Sequence, residues 1–269
     1  MEKLQLIIIF SLLLILTSCD KELPGFQFES FNNTKAEELA KAVKNQNKKD
    51  IDKIIKENPE VLDFREENYG HSVLMLAVAN NLKISVEKLL QLGADPNLRS
   101  QPKDKPNSEV TTPMFIALND IYNNSKCNTE MLELLVENGG NVNDTLNVKY
   151  VGANYIAVET PLMIGAGSKC KKVIRKLIDL GADINNYDYS EGHGPISRAI
   201  IHDRLENLRY LIIDKNADIP KYVFVVQAYN ETPRIEYTVS EFLAQQNYPE
   251  NSKEFRIKSE ILEYLKMKN

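Results

Sequence analysis

The side chains that could do covalent or acid–base chemistry are few. They are three cysteines, Cys19, Cys127 and Cys170, and three histidines, His71, His193 and His202. A thiol can carry an acyl group, form a disulfide or act as a nucleophile, and an imidazole can bind a metal or transfer protons near neutral pH. The chain contains no His-Glu-x-x-His, Cys-x-x-Cys, Gly-x-Ser-x-Gly or phosphate-loop pattern. The sequence therefore predicts no catalytic residues, no metal site and no cofactor.

One polar cluster could suggest a nucleophile site. His193 follows Asp188, Tyr189, Ser190 and Glu191 along the chain. Because neither a strained elbow nor a second cluster accompanies them, we interpret these residues as solvated turn residues. An enzyme that uses the surface around His193 is therefore a disfavoured hypothesis.

Cys19 ends a segment built like a secretion signal, with a charged start, an apolar run and small residues before it. The run from Leu6 to Leu16 is shorter than the about 20 residues that span a bilayer, which disfavours an uncleaved anchor helix. Leu16-Thr17-Ser18-Cys19 resembles the lipobox, in which a peptidase cuts before a lipid-modified cysteine. The resemblance implies a bacterial lipoprotein, with a signal peptide at residues 1–18 and a lipidated tether at residues 19–34. It leaves open which envelope membrane holds Cys19, and whether the protein faces the periplasm or the exterior.

Composition narrows the class of protein. The net charge is −5 and charges of both signs are mixed, so the basic footprint of a nucleic-acid-binding protein is missing. Hydrophobic residues make up 43%, which is ordinary for a folded chain. A second long apolar run is missing from the sequence, so we expect no other membrane span.

Two short motifs recur along the chain. One ends a predicted helix in Gly or Asn, in Leu89–Asn97, Leu134–Asn143, Leu177–Asn185 and, more loosely, Leu211–Ile219. The other opens a predicted helix, in Ser72–Ala77, Thr112–Ala117, Thr160–Gly165 and Gly194–Ala199. Ser or Thr caps a helix, Pro suits its first position, and Gly ends it in a left-handed conformation. Each pair of motifs therefore predicts a helix–turn–helix unit.

These paired motifs resemble ankyrin repeats, whose unit is a β-turn plus two helices over about 33 residues with a Thr-Pro-Leu-His-x-Ala opening. The resemblance covers nearly all of residues 35–269 and implies an all-α repeat solenoid of about six repeats with inserted β-hairpins. The approximate repeats are 35–68, 69–102, 111–150, 159–191, 193–219 and 238–269, of which the first and last resemble caps. The family's His is replaced by Met75, Phe115, Met163 and Ser197, which puts the usual turn-bracing hydrogen bonds in doubt. A non-repetitive helical bundle is the less favoured alternative.

Insertions separate the units, because successive terminal turns lie further apart than the period of about 33 residues. We expect them in a polar loop at residues 100–110, in a longer inter-helix turn at Tyr122–Asn128, and at Leu146–Glu159. β-branched and aromatic residues that flank turn formers predict a hairpin at Val148–Val158 and another at Tyr222–Val239.

Cys127 and Cys170 occupy equivalent positions, each after Ser-Lys in the turn between the two helices of its unit. An oxidising compartment allows a disulfide between them. However, stacked helices lie about 8–10 Å apart, whereas a disulfide needs Cα atoms about 4.4–6.8 Å apart. The sequence therefore leaves both a disulfide, closed by the extended turn, and two free thiols open.

The resemblance places function in surfaces, so we expect an envelope-tethered module that binds a protein partner through inter-repeat turns and inserted hairpins. Aromatic and Arg side chains dominate interface hot spots. The resulting candidates are Arg99, Tyr150, Tyr155, Tyr187, Tyr189, His193, Tyr222 and Phe224. These aromatics could equally cover the solenoid edge. More specific versions are an immunity protein that neutralises an envelope-delivered toxin, or a helper of an envelope enzyme, and a structural spacer is the remaining alternative.

Overall fold

The computed structural model describes residues 25–103, 110–124, 127–148, 157–186, 193–226 and 235–268. Its helices are α1 Glu37–Lys44, α2 Lys48–Glu57, α3 Val73–Ala79, α4 Lys83–Gln91, α5 Pro113–Asn124, α6 Glu130–Glu137, α7 Pro161–Gly167, α8 Lys171–Asp179, α9 Pro195–Ile201, α10 Leu205–Arg209, α11 Val239–Gln245 and α12 Lys253–Lys268. Consecutive helices pack together in pairs, α1 with α2 through to α11 with α12. Four strands form two antiparallel two-stranded sheets: β1 Leu146–Val148 with β2 Ala157–Glu159, and β3 Phe224–Val226 with β4 Ile235–Tyr237.

Three of the first helices, α3, α7 and α11, begin at a Ser or Thr whose side chain accepts from a free backbone N–H of the helix. Thr160 Oγ1 accepts a hydrogen bond from the N–H of Met163 at 3.3 Å, and Pro161 occupies the first helical position. At α3, Ser72 Oγ accepts from the N–H of Met75 at 3.3 Å, and the Met75 sulfur accepts from the N–H of Ser72 at 3.5 Å. The methionine that replaces the family's His thus takes part in a reciprocal cap.

The second helices α4, α6, α8 and α10 are each followed by a left-handed residue that turns the chain out of the helix. Gly93, Gly139 and Gly181 have φ of 91°, 91° and 95°, a region that costs glycine no Cβ strain. In the fourth copy Asn216 takes this position with φ of 51°. That copy is one residue longer, and the extra residue is absorbed by a π-helical turn at Tyr210–Asp214 that continues α10.

The hydrophobic core lies where the first helices of the pairs pack on one another and on the second helices. The first helices α3, α5, α7 and α9 contact one another in sequence, and every residue of α3 is buried. Each second helix buries only the face that packs on its partner, as α8 does through Val173, Ile174 and Leu177. A Cβ on Gly165 would lie 2.7 Å from Cδ1 of Leu177, so glycine lets α7 and α8 approach closely.

The first described residues, 25–34, pack on the fold, within the range 19–34 that was predicted as a lipidated tether. A 3₁₀ turn at Phe28–Phe31 buries both phenylalanines, and Phe31 is 0% exposed. The Asn80 side chain donates to the carbonyl of Phe26 at 3.0 Å and ties this segment to the end of α3. Phe28 and Phe31 are three residues apart, so both rings lie on one side of the 3₁₀ turn and are buried there. The polar residues around them gave no sign of this packing. Any free tether ends near Gly25.

Two further elements differ from expectation. The predicted long turn at Tyr122–Asn128 is shorter, because α5 continues to Asn124. The hairpins lie where they were predicted, but their strands are short and their centres, residues 149–156 and 227–234, lie outside the described residues. In the part of the chain that the structure describes, no helix has the length and apolar character needed to cross a membrane.

Phe31→Ala tests the docking of the N-terminal segment. We expect the free energy of unfolding to fall by about 3–5 kcal/mol, because the substitution opens a cavity in a fully buried site. Phe255→Ala, at a ring that is 36% exposed, is the matched control and should cost less than about 1 kcal/mol. Urea denaturation of the chain without its first nineteen residues measures both. Equal losses would mean that residues 28–31 do not pack as described.

Candidate interaction surface

Successive helix pairs are joined by links that differ in length. We call these links the finger row: residues 65–72, 100–111, 146–159, 186–193 and 223–237. Arg65 pairs with Ser72 in the first, and Leu146 lies opposite Glu159 in the third. The closing residue is the cap of the next first helix, as at Ser72, or directly precedes it, as at Glu159. The fingers therefore stand at equivalent positions of successive units.

A ladder of hydrogen bonds ties the turns at the base of the fingers. In four successive turns, one Asp or Asn side chain accepts from a backbone N–H of the next turn. These pairs are Asp63 with Asp95 (3.0 Å), Asn97 with Asn141 (2.7 Å), Asn143 with Asp183 (2.7 Å) and Asn185 with Asp218 (3.0 Å). The two middle asparagines also donate to the carbonyls of the helix-ending glycines Gly139 and Gly181, at 2.9 and 3.1 Å. The ladder holds the finger bases in one register.

Sequence reasoning missed this ladder, although a signal was present. The helix-ending motifs share an Asp or Asn followed two residues later by Asn, as in Asp95-Pro96-Asn97 and Asp183-Ile184-Asn185. The first side chain accepts from the N–H of the second residue within the same turn, at 2.8 Å for Asp95 and 2.9 Å for Asp183. This local bond leaves the second side chain to reach the next unit.

Arg99, a predicted partner-binding residue, lies at the base of the second finger and contacts the next unit. Its Nη2 donates to Oδ1 of Asp144 at 2.5 Å and to the carbonyl of Thr145 at 2.9 Å, while its side chain is 45% exposed. Arg65 makes the equivalent step one unit earlier, since its Nε donates to the carbonyl of Arg99 at 2.9 Å. The guanidinium groups thus brace one finger base against the next.

The other predicted partner-binding residues are only partly placed. His193 is half-buried and immediately precedes Gly194, the N-cap residue of α9. Tyr222 is half-buried at the start of the fifth finger, with Nζ of Lys221 4.9 Å from its ring centroid. Phe224 is the first residue of β3 and pairs with Tyr237. The structure does not describe the side chain of Phe224. Tyr150, Tyr155, Tyr187 and Tyr189 lie outside the described residues.

A buried ion pair joins the third finger to the following unit. The Glu159 carboxylate, whose side chain is 6% exposed, lies 3.0 Å from Nη2 of Arg198 on α9. Removing one partner of such a pair costs about 3–5 kcal/mol, because the other charge stays buried. The pair fixes the base of the β1–β2 hairpin, and its partners are too far apart in sequence for any local pattern to reveal.

The second helices are linked by ion pairs at every junction from α2 to α12, on the face that we call the outer row. The pairs are Asp52–Lys88, Lys83–Glu130, Glu133–Lys176, Lys171–Glu206 and Arg209–Glu260. Hydrogen bonds from the lysines lower the pKa of the Asp52, Glu133 and Glu206 carboxyl groups. Exposed pairs contribute at most about 1 kcal/mol each. The five pairs therefore link each second helix to the second helix of the next unit.

Cys127 and Cys170 form a disulfide in the structure, with Cα atoms 5.4 Å apart. The helical spacing that argued against it does not apply, because Cys127 lies in a turn and Cys170 caps α8. At 12 residues, α5 is longer than the 7-residue α3 and α7, and it extends toward this turn. The bond therefore connects two consecutive units.

The shifted pKa values of His202 and Tyr248 follow from the residues that pack around these side chains. Burial lowers the pKa of His202, and the nearby positive charges of Arg198 and Arg204 lower it further. The Tyr248 hydroxyl donates to Oδ1 of Asp203 at 2.6 Å, and burial together with this bond raises its pKa. Within the described ranges, no three His, Cys, Asp or Glu side chains are grouped to hold a metal ion.

Asn143→Ala tests the ladder. We expect the free energy of unfolding to fall by about 1–2 kcal/mol, because two inter-unit hydrogen bonds are lost at a partly solvated site. Asn186→Ala is the matched control, at an asparagine of the next turn for which the described residues show no bond across units, and should change stability by less than about 0.5 kcal/mol. Thermal or urea unfolding measures the difference. An unchanged Asn143→Ala protein would mean that apolar stacking alone sets the register.

Cys127→Ser tests the disulfide. The bond spans 43 residues, so the chain-entropy model predicts a loss of about 4 kcal/mol in oxidising buffer. The same unfolding measurement in a strong reductant is the control, because the unmodified protein should then fall toward the variant. Alkylation of the unfolded chain without reductant should leave both cysteines unmodified. Two alkylated cysteines would show free thiols instead.

Comparison with known families identifies part of this architecture. A family model described as the ankyrin repeat matches residues 69–101. The matched segment contains α3, α4 and the turn with Gly93 and Asn97, which is one complete step of the ladder. No curated protein matches the chain. The chain therefore carries an ankyrin repeat at residues 69–101, within a mostly helical structure that fits a helical repeat fold.

Proposed function

We propose that this protein is a lipid-anchored interaction module of the bacterial cell envelope, which binds a protein partner through its finger row. In this proposal residues 35–269 form an ankyrin array of about six repeats, with α1–α2 and α11–α12 as its caps. A lipid on Cys19 holds the array at a membrane.

The observation that carries the proposal is the register of the finger row. The ladder aligns the finger bases, and the two longest fingers add the β1–β2 and β3–β4 hairpins to this aligned surface. In repeat proteins, insertions map to loops on one face, and that face is often the binding face. Aligned loops of different lengths on a stack of packed helices suit recognition of an extended protein surface.

The remaining faces support this assignment. The first helices are mostly buried, as α3 shows, and ion pairs on the outer row join neighbouring second helices. Ankyrin-repeat domains are typically interaction modules without enzymatic activity, which favours binding over catalysis. The proposed anchor rests on the lipobox-like sequence that ends at Cys19.

Finger-shortened variants test the proposal. Val148 pairs with Ala157, and Val226 pairs with Ile235, so residues 149–156 or 227–234 can each be replaced by Asn-Gly, the preferred two-residue hairpin turn. The tagged full chain is crosslinked in cells and recovered from solubilised envelope. We expect an enriched partner whose recovery falls about tenfold or more when a finger that carries aromatic hot spots is shortened.

Lys172→Ala on the outer row is the control, and it should recover the partner as the unmodified chain does. Full recovery with both fingers shortened would place binding on another face. A clean mature protein without any enriched partner would contradict the binding role and would favour a structural spacer.

A further inference from the structure

The N-terminal segment meets the first finger in a stack of three rings. The Phe26 ring lies 4.5 Å from the His71 ring at an angle of 9°, and the Tyr69 ring lies 5.5 Å from the same imidazole at 14°. His71 is buried, whereas Tyr69 is 40% exposed and forms the outer end of the stack. Phe26, the second described residue, therefore already contacts the first finger.

This finger is held rigidly around the stack. The buried Glu66 carboxylate accepts from the N–H groups of Asn68 and Tyr69, both at 2.7 Å, and of His71 at 3.1 Å. Gly70 packs so closely on the second finger that a Cβ would lie 2.2 Å from the backbone nitrogen of Gln101. These contacts fix the backbone of the first finger on both sides of Tyr69.

The distance from this finger to Cys19 is limited by covalent geometry. About six residues separate Cys19 from Gly25, and a fully extended chain of that length spans about 20 Å. The two ring spacings of the stack, 4.5 and 5.5 Å, add about 10 Å between Phe26 and Tyr69. If Cys19 carries the proposed lipid, Tyr69 therefore lies within about 35 Å of the bilayer surface. Tyrosine is enriched at membrane–water interfaces, where its ring enters the apolar region and its hydroxyl stays hydrated.

We propose that the first finger rests on the lipid surface, with Tyr69 at the membrane–water interface. This inference rests on the proposed lipid anchor at Cys19. The finger row then starts at the membrane, and each later finger stands one unit further along the stack. The partner must accordingly be reachable beside the same membrane.

A single fluorescent reporter tests this contact, because the chain contains no tryptophan. Tyr69→Trp keeps a ring in the stack, and Phe255→Trp is the control at a ring of similar exposure, 36%, on α12 at the other end of the chain. The lipidated full-length products are reconstituted in phosphatidylethanolamine and phosphatidylglycerol vesicles, with and without a brominated phosphatidylcholine. We expect brominated lipid to quench the reporter at position 69 by about half, as for an interfacial aromatic ring, and to leave the reporter at position 255 nearly unchanged.

Two further variants separate the causes. Adding Cys19→Ala should abolish both flotation with vesicles and quenching, and adding Phe26→Ala should weaken quenching at position 69 while the protein still floats. A lipidated, floating protein with no quenching at position 69 overturns the membrane contact and leaves the anchor intact. Fluorescence that changes only with the protein-to-lipid ratio means that a second copy covers Tyr69, which also overturns it. A chain with no acyl mass that does not float contradicts the anchor itself.

Discussion

The structure depends on a side chain in each turn that reaches the backbone of the next turn. Asn97 and Asn143 each accept from one N–H and donate to one carbonyl of the following unit, so a single amide fixes both the distance and the direction of the step. Apolar stacking between the first helices holds the units together but is not directional. Hydrogen bonds with defined geometry add the register. Each finger starts from this register, which is why fingers of unequal length begin at equivalent positions.

Stability and the proposed recognition use different parts of the chain. The buried first helices and the inter-unit bonds of the described residues, including the Glu159–Arg198 pair and the Cys127–Cys170 disulfide, hold the stack together. Insertions in the fingers are therefore tolerated, because they lengthen a link whose ends are already fixed. The π-helical turn at Tyr210–Asp214 shows the same tolerance within a helix, since one extra residue is absorbed while Asn216 still takes the left-handed position.

The N-terminal segment connects the stack to the proposed anchor. Phe28 and Phe31 are buried, and Phe26 stacks on the first finger, so the segment from Gly25 packs with the first unit. With a lipid on Cys19, the finger row would have a defined starting point at the membrane. Orientation would then come from packing at Phe26 and Phe31 and from the short reach of the chain after Cys19.

Much of this could be predicted from the sequence because it is local. Ser72 and Thr160 cap helices, and Gly93, Gly139 and Gly181 end them, by contacts within a few residues, so the repeated units and the hairpin positions were visible in the pattern. The burial of Phe31 and the pair of Glu159 with Arg198 join residues far apart in the chain, and no local propensity encodes them. For the rungs of Asn97 and Asn143, the repeated Asp/Asn-x-Asn spacing marks the residues but not the partners that they reach. The sequence alone determined which units form and where they end. Only the tertiary structure decided how neighbouring units are joined, because directional contacts between distant residues exist only once the units are stacked.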